Sequence, residues 1–142
     1  AVVQQQLAIG ANQQQAVRAM LEAQAWPGPS LLIAYSTCIA HGIDMATSMS
    51  HQAEAVASGY WPLYRFRPGG DGHPLHLDSR APSMPVRDFM QSEARFAMLA
   101  RANPTRAEEL AQLAQADADE RWHYYSQLAG MERGLPAPKE EP

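Results

Sequence analysis

The residue best suited to chemistry is Cys38, the single cysteine of this 142-residue chain. It follows the apolar run 30–35 and lies in a stretch of mainly small and polar residues. A thiolate in such a place can act as a nucleophile or as a metal ligand, whereas a lone cytosolic cysteine is most often a small buried hydrophobic residue. One thiolate cannot hold a zinc ion or an iron–sulfur cluster, because each needs about four ligands. A metal role for Cys38 therefore requires ligands from outside these residues.

The other side chains with catalytic potential form no known constellation. His41 lies three residues after Cys38, and a Cys/His pair can activate a thiol, but no third orienting group is evident. Ser48 and Ser50 lack the Gly-x-Ser-x-Gly context of a nucleophilic serine. The remaining histidines lack the spacing of a metalloprotease or a zinc finger, so we interpret them as solvated or hydrogen-bonded: His51, His73, His76 and His123.

Three short segments have both a functional and a structural interpretation, and the structural one is favoured for each. Residues 10–12 resemble the start of a phosphate-contacting helix, but one glycine without the full motif is better explained by helix capping. Residues 78–80 are typical of a turn with local hydrogen bonds. Tyr60 and Trp61 could stack on a ligand, yet aromatic residues in a strand usually pack in the core.

The elements around Cys38 predict half of a β-α-β unit. Asn12 can cap a helix over residues 12–25, and the Trp-Pro-Gly-Pro sequence at 26–29 ends it. The unbroken apolar run 30–35 predicts a strand buried on both faces in a parallel sheet, and Val2, Val3 and residues 7–9 could belong to an earlier strand. Since open α/β sheets bind ligands beyond the carboxyl ends of their parallel strands, this location favours a function for Cys38.

The second half of the chain predicts further helices around a long loop. A helix over 45–57 and a strand over 60–66 are followed by a Pro/Gly-rich excursion over 67–85 with an extended piece at 75–77. An apolar stripe from Val86 to Ala100 predicts one helix, and residues 105–108 match a capping box for a second. The fold class is therefore α/β, a partial parallel sheet with flanking helices, a long excursion and two C-terminal helices.

Composition limits the classes of function that the chain can have. The net charge is −4 without a Lys/Arg cluster, so we expect no nucleic-acid partner. No apolar run approaches the roughly 20 residues of a membrane span, so we expect no membrane insertion. A lone cysteine and an N-terminus without a charged start favour a reducing, cytoplasmic location. The length matches a single domain with its own core.

Three long stretches, in the same order, resemble the C-terminal part of pyruvate:ferredoxin (flavodoxin) oxidoreductase. They are residues 27–43, 58–66 and 77–82, and the resemblance runs from Leu7 to near Met131. It implies that residues 1–133 are the C-terminal part of a thiamine diphosphate-binding α/β domain, incomplete here, and that residues 134–142 form a disordered tail. By its position, Cys38 would be a ligand of the 4Fe-4S cluster nearest to the thiamine diphosphate. The other cluster ligands and the segment that binds Mg²⁺ and diphosphate would lie upstream.

The resemblance also implies a reaction and its partners. Enzymes of this family convert pyruvate and coenzyme A to acetyl-CoA and CO₂ and pass electrons through 4Fe-4S clusters to ferredoxin or flavodoxin. This chain would act with the rest of the oxidoreductase, in a homodimer, and would be inactive alone. Two alternatives stay open: a related oxidoreductase for another 2-oxoacid, and a non-enzymatic α/β domain that serves interaction or assembly.

Overall fold

A computed structural model describes residues 1–69 and 72–131 of the chain. Two 3-10 turns, Ile39–His41 and Met45–Thr47, separate the second strand from the second helix. The predicted α/β class is confirmed, and the predicted tail 134–142 lies outside the described residues. The strands and helices are β1 (Val3–Leu7), α1 (Gln13–Ala25), β2 (Ser30–Ala34), α2 (Ser48–Ala57), β3 (Tyr64–Phe66), β4 (Leu75–Leu77), α3 (Val86–Gln91), α4 (Ala94–Ala102) and α5 (Pro104–Ala129).

The sheet has the strand order β2-β1-β3-β4. β1 and β2 are parallel, with Val3 opposite Ser30 and Leu7 opposite Ala34, and α1 is the helix that connects them. β1 and β3 are antiparallel, as are β3 and β4. The predicted β-α-β unit is confirmed, and the earlier strand at the N-terminus completes it. The sheet as a whole is mixed, because the short connection between β3 and β4 permits only an antiparallel pair.

β2 is not buried on both faces, so this part of the sequence-based prediction is wrong. Leu31 is 49% exposed and Leu32 is 42% exposed. The reason is that β2 is an edge strand of the sheet formed within residues 1–69 and 72–131. The continuous apolar run of β2 predicts a central strand of a larger sheet, and only one neighbouring strand is present in the part described.

The two faces of β1 meet different helices. Leu7 packs with Ala16 and Ala19 of α1 in the buried core. On the opposite face, the Gln4 amide Nε2 donates to the Tyr64 hydroxyl over 2.6 Å, and the Tyr64 ring lies 5.1 Å from the Tyr125 ring of α5. Because successive strand residues point to opposite faces, α1 and α5 cover the sheet from its two sides.

Burial gives Tyr64 a testable pH dependence. Its burial, with the adjacent Tyr125, raises the pKa of Tyr64 from 10.0 to about 12. The folded chain thus keeps a proton that the unfolded chain releases, so the stabilisation is complete below about pH 10 and is lost as the pH rises towards about 12. We expect Tyr64→Phe to flatten this decline in urea unfolding between about pH 10 and pH 12. The exposed Tyr124→Phe is the control, and an equal decline in both variants would refute the assignment.

The single helix predicted between Val86 and Ala100 is in fact two helices. α3 ends at Gln91 and α4 begins at Ala94, and Glu93 between them has an extended backbone with φ −108°. The Glu93 carbonyl accepts from the Phe96 and Ala97 amides, while its side chain is fully buried. A tertiary contact of this carboxylate, described below, therefore interrupts a stripe that locally favours one helix.

The start of α5 also differs from the prediction. Its N-terminal cap is Asn103, whose Oδ1 accepts from the Arg106 amide over 3.0 Å, and Pro104 follows as the first helical residue. The capping box at 105–108 is therefore wrong, because proline's fixed φ and missing amide donor suit the first helical position. The apolar stripe of this helix is confirmed, with Ala111 and Ala118 buried at its centre.

The remaining elements are shorter than predicted, apart from β4, which lies at the predicted 75–77. Residues 45–47 form a 3-10 turn ahead of α2, so the helix begins at Ser48. The predicted strand 60–66 contains only Tyr64–Phe66, because the chain is still turning after Gly59, whose φ of +74° is left-handed. No helix in the described ranges is both long and apolar enough to cross a membrane.

Candidate functional site

Cys38 lies just beyond the carboxyl end of β2 and is exposed. Its backbone is extended, and its carbonyl accepts from the His41 amide over 3.0 Å to begin a 3-10 turn. Gly42 ends the turn with a left-handed φ of +72°, and its amide donates to the Ile39 carbonyl over 3.0 Å. We call residues 38–42 the cysteine turn. The alternative of an inert, buried Cys38 does not hold.

The cysteine turn is attached at its start to the segment that opens α2. Thr37 is buried, and its hydroxyl lies 2.6 Å from the Ser48 hydroxyl and 3.9 Å from the Met45 sulfur. Ser48 is the first residue of α2. This pair of hydroxyls therefore ties the residue before Cys38 to the helix.

The cysteine turn is attached at its end to α4. A Cβ atom placed on Gly42 would lie 2.3 Å from the Ala94 Cβ, so only a glycine permits this approach. Ala94 is the first residue of α4. The left-handed φ and the close contact together explain why a glycine stands at position 42.

A buried hydrogen-bond network joins α2 to the start of α4. His51 is 3% exposed and Glu93 0%, and His51 Nε2 lies 3.0 Å from Glu93 Oε1. His51 Nδ1 lies 3.1 Å from the Ser92 hydroxyl, and Glu93 Oε2 accepts from Arg95 Nε. Of the two interpretations that the sequence left for His51, the hydrogen-bonded one is confirmed. The sequence gives no signal for the network, because its two central residues are 42 positions apart.

Aromatic rings fill the space beside this network. The Tyr35 ring lies 6.5 Å from the His51 ring and 5.4 Å from the Trp61 ring, and Trp61 Nε1 donates to the Leu7 carbonyl over 3.1 Å. Burial, and next the charge of Glu93, raises the pKa of Tyr35 to about 12. Trp61 thus packs and hydrogen-bonds at the end of β1, which supports the structural interpretation of the Tyr60-Trp61 pair.

Gly10 has a packing role rather than a phosphate-binding one. A Cβ on Gly10 would lie 2.4 Å from the Met49 carbonyl oxygen, and the Gly10 amide donates to Gln52 Oε1 over 2.9 Å. Asn12 caps α1 as predicted, with its Oδ1 accepting from the Gln15 amide. The segment after β1 is therefore shaped by its contact with α2.

Residues 78–80 are held by long-range contacts, so the predicted turn with local hydrogen bonds is wrong. The Asp78 backbone amide donates to the carbonyl of Leu63, which precedes β3, and its carboxylate accepts from Arg65 Nε over 2.8 Å and from Gln15 Nε2 over 3.1 Å. This hydrogen bond to Asp78 is the main cause of a raised Arg65 pKa. The three histidines His73, His76 and His123 are exposed, and His41 is half-buried within the cysteine turn.

The described residues can supply part of a metal site but not all of one. No three His, Cys, Asp or Glu side chains in ranges 1–69 and 72–131 are grouped to hold a metal ion. An exposed thiol on a turn, however, is accessible to a ligand set completed by other polypeptide segments. Cys38 fits an iron–sulfur cluster as a single ligand only.

Comparison with known proteins gives close relatives. The chain is 47% identical over 129 residues to a pyruvate-flavodoxin oxidoreductase of Trichormus variabilis, which covers 89% of this chain. It is 46% identical over 127 residues (88% of the chain) to the pyruvate-flavodoxin oxidoreductase of Rhodospirillum rubrum, and 43% identical over 126 residues (87%) to the pyruvate:ferredoxin oxidoreductase of Moorella thermoacetica. The chain spans 11% of the length of each of these relatives. No protein-family model matches the chain.

Proposed function

Because this chain is homologous to a segment of the pyruvate-flavodoxin and pyruvate:ferredoxin oxidoreductases, we propose that it is the C-terminal part of the thiamine diphosphate-binding domain of such an enzyme. In this proposal residues 1–133 belong to that domain, and Cys38 supplies one thiolate to a 4Fe-4S cluster near the thiamine diphosphate. The observation that carries the ligand assignment is the exposed thiol on a fixed turn beyond the carboxyl end of a parallel strand.

The surface around the cysteine turn supports a covered position in a larger protein. Ile39 in the turn and Met45 and Met49 after it are exposed, and Leu31 and Leu32 are exposed on the adjoining strand. Large apolar side chains grouped on a surface mark sites where another protein segment packs. The missing cluster ligands would come from such a segment, since the relatives are much longer than this chain.

The proposed activity is the oxidation of pyruvate with coenzyme A to acetyl-CoA and CO₂. The iron–sulfur cluster, when bound, supplies single-electron transfer, and ferredoxin or flavodoxin receives the electrons. Thiamine diphosphate and Mg²⁺ are assigned to the rest of the oxidoreductase, as is most of the contact with pyruvate. The chain by itself lacks these parts and is inactive; the complete enzyme is a cytoplasmic homodimer in this proposal.

Replacing Cys38 by serine in the complete oxidoreductase tests the ligand assignment. A serine hydroxyl is a far weaker ligand than a thiolate, so we expect the loss of one cluster, about four iron atoms per polypeptide. Iron analysis and the electron paramagnetic resonance spectrum of the reduced enzyme measure this loss. The matched control is Ser36→Ala, an exposed neighbour outside the cysteine turn. Wild-type iron content and electron transfer in Cys38→Ser would refute the proposal.

A further inference from the structure

We propose that the buried hydrogen bond between His51 and Glu93 is a positioning device for Cys38. It joins α2 to α4, and these two helices hold the two ends of the cysteine turn. The importance of the thiol rests on the proposed function, but the positioning itself is a property of this chain. His51 and Glu93 are thus positioning residues that act through the turn.

The turn has little to hold it in place by itself. Its own backbone bonds are those from the His41 amide to the Cys38 carbonyl and from the Gly42 amide to the Ile39 carbonyl. A single 3-10 turn is weakly stable, because its hydrogen-bond geometry is poor. The position of the thiol therefore depends on the attachments at Thr37 and Gly42.

Both attachments lead to the first residue of a helix. Thr37 meets Ser48, which opens α2, and Gly42 meets Ala94, which opens α4. If the two helix starts move relative to each other, the ends of the turn move with them. A bond between α2 and α4 near these residues consequently fixes the geometry of the turn.

His51 and Glu93 form that bond one helical turn or less from each attachment. His51 lies three residues after Ser48, and Glu93 immediately precedes Ala94. Both side chains are buried, so water cannot replace the bond if it breaks. Low polarity around the pair also strengthens the attraction between them.

The Ser92 hydroxyl sets the direction of the hydrogen bonds in the network. The Ser92 hydroxyl donates to the Phe89 carbonyl over 2.6 Å, because a carbonyl can only accept. Ser92 then accepts from His51 Nδ1, which leaves Nε2 to share one proton with Glu93 Oε1. The second Glu93 oxygen accepts from Arg95. Removing the Nε2 contact therefore leaves a buried carboxylate oxygen without its partner.

Two substitutions of His51 distinguish the effect of its hydrogen bond to Glu93 from the effect of its hydrogen bond to Ser92. The amide nitrogen of a glutamine reaches the position of Nε2, whereas that of an asparagine reaches the position of Nδ1. His51→Gln should therefore keep the bond to Glu93, and His51→Asn should lose it. Hydrogen exchange of the His41 and Gly42 amides in this 142-residue chain reports how well the cysteine turn is held.

We expect about tenfold faster exchange of these two amides in His51→Asn and less than about threefold in His51→Gln. The Ala16 and Ala19 amides of α1 should exchange as in wild type, since α1 packs on β1 and β2. His123→Asn, at an exposed position of α5, should change none of them. Wild-type exchange of the turn in a folded His51→Asn, or equal acceleration by both His51 variants, would overturn the proposal.

If His51→Asn does not fold, Glu93→Met provides a second test of the proposal. It removes the acceptor while filling a similar volume, and the Glu93 side chain takes no part in capping α4. We expect it to accelerate the turn amides about tenfold while the α1 amides stay protected, and unchanged turn amides would refute the proposal. The result does not depend on the cluster, so a failed ligand assignment for Cys38 and a failed positioning role for His51 are told apart.

Discussion

Replacing Arg65 by methionine is expected to lower the free energy of unfolding by about 3 kcal/mol. Arg65 lies on β3, and its guanidinium joins three elements of the fold. Nε donates to Asp78 Oδ2 over 2.8 Å, and the terminal nitrogens donate to Asp78 Oδ1 over 3.0 Å and to Glu22 Oε1 over 2.5 Å. Glu22 belongs to α1 and Asp78 follows β4, so one side chain links the helix to the antiparallel half of the sheet.

The large loss of stability comes from the Asp78 and Glu22 carboxylates, which would lose their partner. The Arg65 side chain is 11% exposed, and those of Asp78 and Glu22 are 17% and 25% exposed. Methionine can fill much of the space but cannot pair with either carboxylate, so both would be poorly solvated. Partial exposure and the remaining bond from Gln15 to Asp78 reduce the cost below that of a fully buried pair.

Urea unfolding of Arg65→Met against wild type measures this effect. The matched control is Arg106→Met, because Arg106 pairs with Glu109 on α5 and both side chains are 55% exposed. A surface pair of this kind contributes less than about 0.5 kcal/mol. Equal losses in the two variants would show that the Arg65 contacts are no more important than surface pairs.

Replacing Gly10 by alanine is the second change with a large expected effect, a loss of about 2 kcal/mol or more. The new Cβ would lie 2.4 Å from the Met49 carbonyl oxygen and 2.7 Å from the Met49 Cα. These are backbone atoms of α2, so no side-chain rotation can relieve the overlap. The segment after β1 must move away from α2, and the bond from the Gly10 amide to Gln52 Oε1 is strained or lost.

Gly130→Ala is the control for this substitution. Gly130 has a φ of −84°, and a Cβ there would meet only ordinary contacts at 3.6 Å and beyond. We expect its free energy of unfolding to stay within about 0.5 kcal/mol of wild type. A Gly10→Ala protein as stable as Gly130→Ala would contradict the close approach between the end of β1 and α2.

Elements with strong local signals could be predicted from the sequence. α1 has a capping asparagine at its start and proline and glycine after its end, and α5 has an apolar stripe over its whole length. These signals depend on residues within one or two turns of each other, which the sequence shows directly. The break at Glu93 could not be predicted, because its cause is a bond to a residue 42 positions away.

The candidate site divides in the same way. The sequence by itself determined that one thiol follows a strand and a helix of a β-α-β unit, since hydrophobic periodicity, capping and turn residues are local properties. Only the tertiary structure decided that β2 is an outer strand, that the thiol is exposed, and that His51 and Glu93 join the helices that hold its turn. Strand order and buried polar pairs depend on which distant segments pack together. A local pattern of residue types does not predict this packing.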